Sequence, residues 1–298
     1  MTFEGDLSPL DAPQRVSGMR VPEAWVLPGK PEGLSAAADD SWRQTGFVLG
    51  DDLRLLQAGL DVQARFAASG YAPAARTMTM AALASLWSRA FLSTSDATAL
   101  VRRGAYQSAV PLVRQAIEHV AAQSALPGEI ESFLEWAHQA YGRHEQARAE
   151  DVGLGHYFGG EAIAGDEHLR AIYRAASDLG RPNFGPTALF TANEASERRY
   201  PLIFADEAFH LGWAELLLGW LLRIGTRQLH IAMHAAGHFP ASRELRDEVV
   251  EHVREVDHHL LEGSRCRLEE HIDESGRRRH LLTDFRRRPG DATRRVLL

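Results

Sequence analysis

Residues 93–126 read STSDATALVRRGAYQSAVPLVRQAIEHVAAQSAL, and the fold turns on this stretch. Place Tyr106 at zero on a wheel of ~100° per residue. Ala109, Val110, Val113, Ala116, Ile117, Val120 and Ala121 then centre on one direction, as on a helix with a core face. Arg114 and Glu118 fall near ~80° and ~120°, on the margin of that face, where an arginine and a carboxylate one turn apart pair. His119 points about 140° away from Arg114. The pattern predicts a helix capped by Ser95 or Asp96 and kinked at Pro111, whose ring meets the carbonyl of Gln107. Pro127–Gly128 is expected to end it.

Outward from this helix, residues 1–34 carry Pro9, Pro13, Pro22, Pro28 and Pro31, which predict an extended arm with Trp25 among its few apolar anchors. Helices are expected from the Ser35 cap to Gly70, with Gly46 and Gly50 as weak points, and from Pro73 to Leu92. A further helix from Glu129 to about Glu150 would carry Trp136, His138 and Tyr141. The glycine-rich GLGHYFGGEAIAGDEH that follows lies between no strand and helix, so it reads as a connecting loop rather than a phosphate cradle. Glu167 to Leu179 reads as helix, RPNFGPTALF as loop, and Pro201–Ala236 and Ala241–Glu262 as helices, the last capped by Ser242. CRLEEHIDESGRRRHLLTDFRRRP changes period and reads as a β-hairpin turning at Asp273–Gly276. The expected fold is mostly α: an extended arm (1–34), a bundle of roughly six to eight helices (35–263), and a β-hairpin with a basic tail (264–298).

Apolar residues make up 45% and charged residues 24% of 298, which fits a packed globular chain and excludes a fibrous or disordered one. One cysteine, Cys266, excludes an intrachain disulfide and fits a reducing compartment; without a partner motif it reads as inert. The start MTFEGDLSPLD lacks a basic, apolar leader, and no apolar run approaches the ~20 residues of a bilayer span, so a cytoplasmic protein without membrane contact is expected. From Arg265 onward ten arginines face six acidic residues, net +4, against −7 for the whole chain. Lys30 is the only lysine among 33 basic residues, so the arginine richness is partly a coding habit. The tail is expected to act as a contact surface rather than core. An electrostatic clamp, within the chain or between two copies of a homo-oligomer such as a dimer, is favoured over an RNA-facing patch.

LVRRGAYQSAVPLVRQAIEHVAA and IYRAASDLGRPNFGPTAL resemble segments of a group of uncharacterised bacterial helical-bundle proteins, in which an Arg-x-x-x-Glu helix is followed by Tyr-x-x-x-Ser-x-x-x-His-Pro. Arg114 and Glu118 match the first element; Tyr173, Ser177 and Pro182 match the second. Arg181 stands where that pattern has histidine. In general shape the group is similar to HEPN (higher eukaryotes and prokaryotes nucleotide-binding) helical domains, several of which are metal-independent ribonucleases using Arg-x4–6-His. The resemblance implies that Arg114, Glu118, His119, Tyr173 and Ser177 are the catalytic candidates, with Arg227/His234 a looser second pair. In such an enzyme the arginine steadies the pentacoordinate phosphate and the histidine moves the 2′-hydroxyl proton. Because Arg114 and His119 diverge on one helix, that pair would need a dimer partner.

All 14 histidines lie from His119 onward. Three Glu-x-x-His pairs, Glu135/His138, Glu207/His210 and Glu255/His258, are spaced as in ferritin-like di-metal bundles, with Glu118 available as a lone glutamate. His230, His234 and His238 recur at every fourth residue, as do Glu251, Glu255 and His259. That spacing serves iron or zinc ligands and equally the polar face of an amphipathic helix. No cofactor is expected, and a divalent metal is the minor alternative. Packing accounts for the most organised positions and the family histidine is replaced. A non-catalytic binding or interaction module is therefore favoured over a ribonuclease or a di-metal carboxylate enzyme. Arg114, Glu118, Tyr173 and Ser177 are expected to form one buried polar network.

Overall fold

The computed structural model describes residues 14–141, 159–192 and 194–298, with backbone alone for 138–141. Its helices are α1 (Ala36–Val48), α2 (Gly50–Ala68), α3 (Met78–Arg102), α4 (Tyr106–Tyr141), α5 (Gly160–Gly165), α6 (Glu167–Leu179), α7 (Phe184–Thr191), α8 (Leu211–His234) and α9 (Arg243–Leu261). Strands β1 (Arg267–Ile272), β2 (Arg278–Phe285) and β3 (Arg294–Leu297) form an antiparallel sheet in that order. The mostly helical architecture is as expected. No described helix is long and apolar enough to cross a membrane.

The stretch that opened the sequence reading is two helices, not one. Gly104 stands at φ 78°. Its N–H bonds the Val101 carbonyl at 3.0 Å and that of Ala105 bonds Leu100 at 2.9 Å. This pair of bonds is the left-handed glycine stop that closes a helix C-terminus. At the other end Pro111 and Pro127 both lie inside α4, which runs through the expected stop at Pro127–Gly128. The expected helix from Glu129 is thus the second half of α4. Its continuation past Tyr141 and the start of the glycine-rich loop lie outside the described residues.

The α4 stripe read from the sequence is buried: Ala109, Val113, Ala116, Ile117, Val120 and Ala121 have no exposed surface. It shares the centre with α8, whose Trp213, Leu217, Leu218, Leu221 and Leu222 are buried around the whole helix. A second cluster built on Phe66, Trp87, Phe239 and Leu229 fills the far end. Ser35, Thr77, Asp166 and Ser242 cap α1, α3, α6 and α9 through side-chain oxygens. Residues 201–210, expected to be helical, are not: Ala205 takes φ 53° and α8 starts only after His210. The RPNFGPTALF loop contains α7.

The described part of the arm, residues 14–34, packs along the bundle. The Trp25 N–H bonds Asp61 at 3.0 Å, its ring meets Phe91 edge-on at 4.7 Å, and Arg102 holds the Pro28 carbonyl at 3.0 Å.

At the C-terminus the hairpin forms about the expected turn, with Arg267 opposite Thr283 and Ile272 opposite Arg278. β3 adds a strand that was not anticipated. The segment is also core rather than only a contact surface, since Leu282 and Phe285 have no exposed surface and Cys266 is 3% exposed. A buried ionic cluster holds it to the helices. Arg265 grips the Asp52 carboxylate through both terminal nitrogens, and His259 Nε2 lies 3.2 Å from the same carboxylate. Glu215 accepts the Cys266 N–H at 2.9 Å and pairs with Arg286 at 3.5 Å. Burial alone would raise the Asp52 carboxyl, but the hydrogen bonds from His259 and Arg265 outweigh it and hold it below its ordinary value.

Candidate functional site

Arg114 and Glu118 pair at 3.1 Å, and the Tyr173 hydroxyl of α6 donates to Glu118 at 3.3 Å while accepting from Arg114 at 3.4 Å. The matched segments therefore meet. They do so at the rim, with Arg114 47% and Glu118 25% exposed, where such a pair is worth about 0–1 kcal/mol. Ser177 is outside this network: its buried hydroxyl has no partner among the described residues. The expectation of one buried four-residue network is thus corrected to a half-buried triad at the rim. His119 faces away from it, and burial, with the charge of Arg89 adding, brings its imidazole down to about 4.

The Glu-x-x-His pairs do not converge either. Glu207 binds Arg103 at 2.6 Å and the Ser35 hydroxyl at 3.0 Å, whereas His210 is buried as the N-cap of α8. Glu255 pairs with Arg54 at 2.8 Å and His258 with Glu262 at 2.8 Å, all on the solvent face. Glu135 belongs to α4, and the His138 side chain lies outside the described residues. Among the described residues no three histidine, cysteine or carboxylate side chains stand within ligating reach of one metal. Burial pushes the Cys266 thiol well above its ordinary value, with the charge of Glu215 adding, which keeps it from being a thiolate. Of the tail arginines, Arg278 pairs with Glu270, Arg279 with Asp273 and Arg287 with Glu194, so much of that charge is neutralised within the chain.

What the fold does assemble is the histidine stripe. His230 and His234 on α8, with His238 just beyond it, line a cleft of about 500 Å³ whose other wall is α3 and α4. Arg227 lies one turn before His230 on the same edge of the cleft. Thr79, Gln123 and Ser124 supply further polar groups from the other wall. Gln123 is wholly buried; its carbonyl side accepts from the Gln228 amide, and its own Nε2 has no acceptor among the described residues. Pro127 also lines the cleft and removes the helical hydrogen bond to the Gln123 backbone carbonyl. None of the described lining residues is a carboxylate. Asp166, the α6 cap, pairs with Arg227 at 2.8 Å from outside the lining. Burial lowers His230, with Arg227 adding, so a negative ligand is needed to favour its charged form. The four-residue stride signalled this edge in the sequence; Gln123, far away in the chain, had no such signal.

One prediction concerns pH. Burial, with the charge of Arg294 adding, brings His210 down to about 4. A histidine depressed in this way binds fewer protons folded than unfolded, so its contribution is whole above about 6.5 and disappears as pH falls toward 4. The loss is on the order of 3 kcal/mol. Denaturant unfolding at pH 4.5, 5.5, 6.5 and 7.5 is expected to show this slope, and His210→Asn, which keeps a capping side chain, to flatten it. Glu215, raised by burial, acts in the opposite direction in both proteins and cancels in the difference.

Comparison of the chain with family models, with curated proteins and with solved structures finds no match.

Proposed function

We propose that the chain is a non-catalytic binding module whose α8 cleft takes an anionic ligand, its phosphate or carboxylate held by Arg227 and the histidine edge. The observation that carries this is the lining: a guanidinium and three imidazoles along one edge, with no carboxylate among the described lining residues. The volume falls in the range of small-molecule sites, about 300–1,000 Å³. Leu83, Ile130 and Ile231 give the cleft an apolar side, which suits a ligand with an anionic head and an apolar body. Outside the cleft, acid–base chemistry is disfavoured at half-buried His119 and buried His210, which are brought down to about 4, far from the neutral range where a proton carrier works best.

Calorimetry with pyrophosphate as probe tests the proposal. Binding is expected at pH 6 and to weaken at pH 8, because burial lowers His230 and only its protonation adds its charge to that of Arg227, with Asp166 and Asp257 as the nearby acids. Arg227→Gln and His234→Gln are each expected to weaken it roughly tenfold. Absence of saturable binding at both values, or binding untouched by both substitutions, would overturn the assignment.

A second reading, a metal-independent ribonuclease, is supported by one observation. Arg227 and His234 are only about 20° apart around α8 and line the same cleft, whereas Arg114 and His119 diverge. Incubation of the same preparations with a single-stranded RNA in a chelator decides it. Cleavage lost in His234→Gln would replace the binding reading.

A further inference from the structure

Where the turn between α3 and α4 meets the start of α8, a separate cavity of about 370 Å³ opens. It shares no lining residue with the α8 cleft. Tyr106, Phe190, His210 and Trp213 form its aromatic wall, and Asp206 and Glu207 its acidic side. Two residues of that wall each carry a buried nitrogen without a partner among the described residues: Nε1 of Trp213, a residue 1% exposed, and Nε2 of His210, 2% exposed. Both are donors. The His210 Nδ1 accepts the Trp213 backbone N–H at 3.4 Å, which leaves the ring hydrogen of the neutral imidazole on Nε2. A buried donor with no acceptor costs roughly 1–3 kcal/mol, so two lining one cavity call for an acceptor brought from outside.

The remaining walls restrict what can bring it. Phe190 stacks on Trp213 with 4.4 Å between ring centroids, which makes this wall aromatic and rigid. The Tyr106 hydroxyl accepts the His210 N–H at 3.0 Å, and burial pushes its ionisation up to about 12, so it remains a neutral phenol. Glu207 is held by Arg103, which also lines the cavity, so Asp206 is the carboxylate that would repel an anion and welcome an N–H. Ala205, directly before them, is held in the left-handed region at φ 53°, a conformation that costs a non-glycine residue about 1–2 kcal/mol.

We propose that this cavity is a second binding site, selective for a neutral planar lactam or heteroaromatic amide. Its carbonyl oxygen accepts from His210 and Trp213, and its ring N–H faces Asp206.

The test uses the full chain and 2-pyridone as probe, with benzoate as the anionic analogue, in calorimetry at pH 7.5. Saturable binding of 2-pyridone is expected, with benzoate at least tenfold weaker. Trp213→Phe, which keeps the ring and removes the donor, and His210→Asn are each expected to weaken 2-pyridone by roughly fivefold to tenfold. Arg227→Gln is expected to leave it unchanged, which separates this site from the α8 cleft. Circular dichroism checks the fold of each variant, and the comparison of the two probes on the unaltered protein stands without them. The assignment is overturned if 2-pyridone does not saturate, if benzoate binds as tightly, or if either folded variant binds 2-pyridone with unchanged affinity.

Discussion

Arg265→Ala is expected to destabilise the protein by about 3–5 kcal/mol, the cost of breaking a buried ion pair and leaving one charge behind. The stranded charge is Asp52, 2% exposed, with only His259 left beside it. Arg265 itself is 12% exposed and also donates to the Glu215 carbonyl at 3.3 Å, so its loss loosens the joint between α2, α8 and the C-terminal sheet at once. Urea unfolding provides the number. Arg278→Ala, whose partner Glu270 is 3.8 Å away on the surface, is the matched control and should change stability by less than about 1 kcal/mol. Replacing both members, Asp52→Leu with Arg265→Met, is expected to recover much of the loss, because an apolar pair leaves no charge unpaired. A loss below about 1 kcal/mol in Arg265→Ala would show that the Asp52 pair does not hold the sheet, which then rests on Leu282, Phe285 and the Glu215 contacts.

Gly104→Val is the second large effect, expected at about 2–5 kcal/mol. The residue stands at φ 78°, and a Cβ there would lie 2.1 Å from the Glu207 carbonyl oxygen, a backbone atom that cannot rotate away. Left-handed strain of about 1–2 kcal/mol adds to an overpacking cost of about 1–3. Gly128→Ala makes the contrast: it sits within α4 with nothing within 4 Å of the added carbon, and is expected to stabilise by about 0.4–1 kcal/mol. Equal effects of the two substitutions would contradict the role assigned to the turn.

These two positions also show what could be read from the chain. The stripe from Tyr106 to Ala121 identified the buried face of α4 residue by residue, because periodicity reports burial directly. The break at Gly104 was missed for the same reason. Both α3 and α4 turn apolar faces to one core, so the period carries on across the turn, although Arg102–Arg103–Gly104 has the composition of a helix C-terminus. Pro127 was read as a stop, yet Ile130 and Phe133 pack on the second core cluster and keep α4 going at the loss of one hydrogen bond. RPNFGPTALF was read as a loop, yet it holds α7, whose Pro186 falls in the first turn, where proline is tolerated. β3 is four residues long, too short for any period to show.

The site residues divide in the same way. His230, His234 and His238 were legible as an edge because they share one helix and its end. Glu207 and His210 looked like a helical pair, but the helix begins after His210, so the i,i+3 geometry never forms. The orphaned donors of Gln123, His210 and Trp213 arise from contacts between distant segments, and local spacing carries no trace of them.

Proton magnetic resonance of the imidazoles bears most directly on the α8 cleft. With pyrophosphate added at pH 6.5, the ring C–H resonances of His230, His234 and His238, assigned by single His→Gln substitutions, are expected to move together along one saturation curve. Those of His258, paired on the solvent face, should stay still. If the three cleft histidines do not respond while pyrophosphate is at saturating concentration, or respond no more than His258, the cleft is not the anion site.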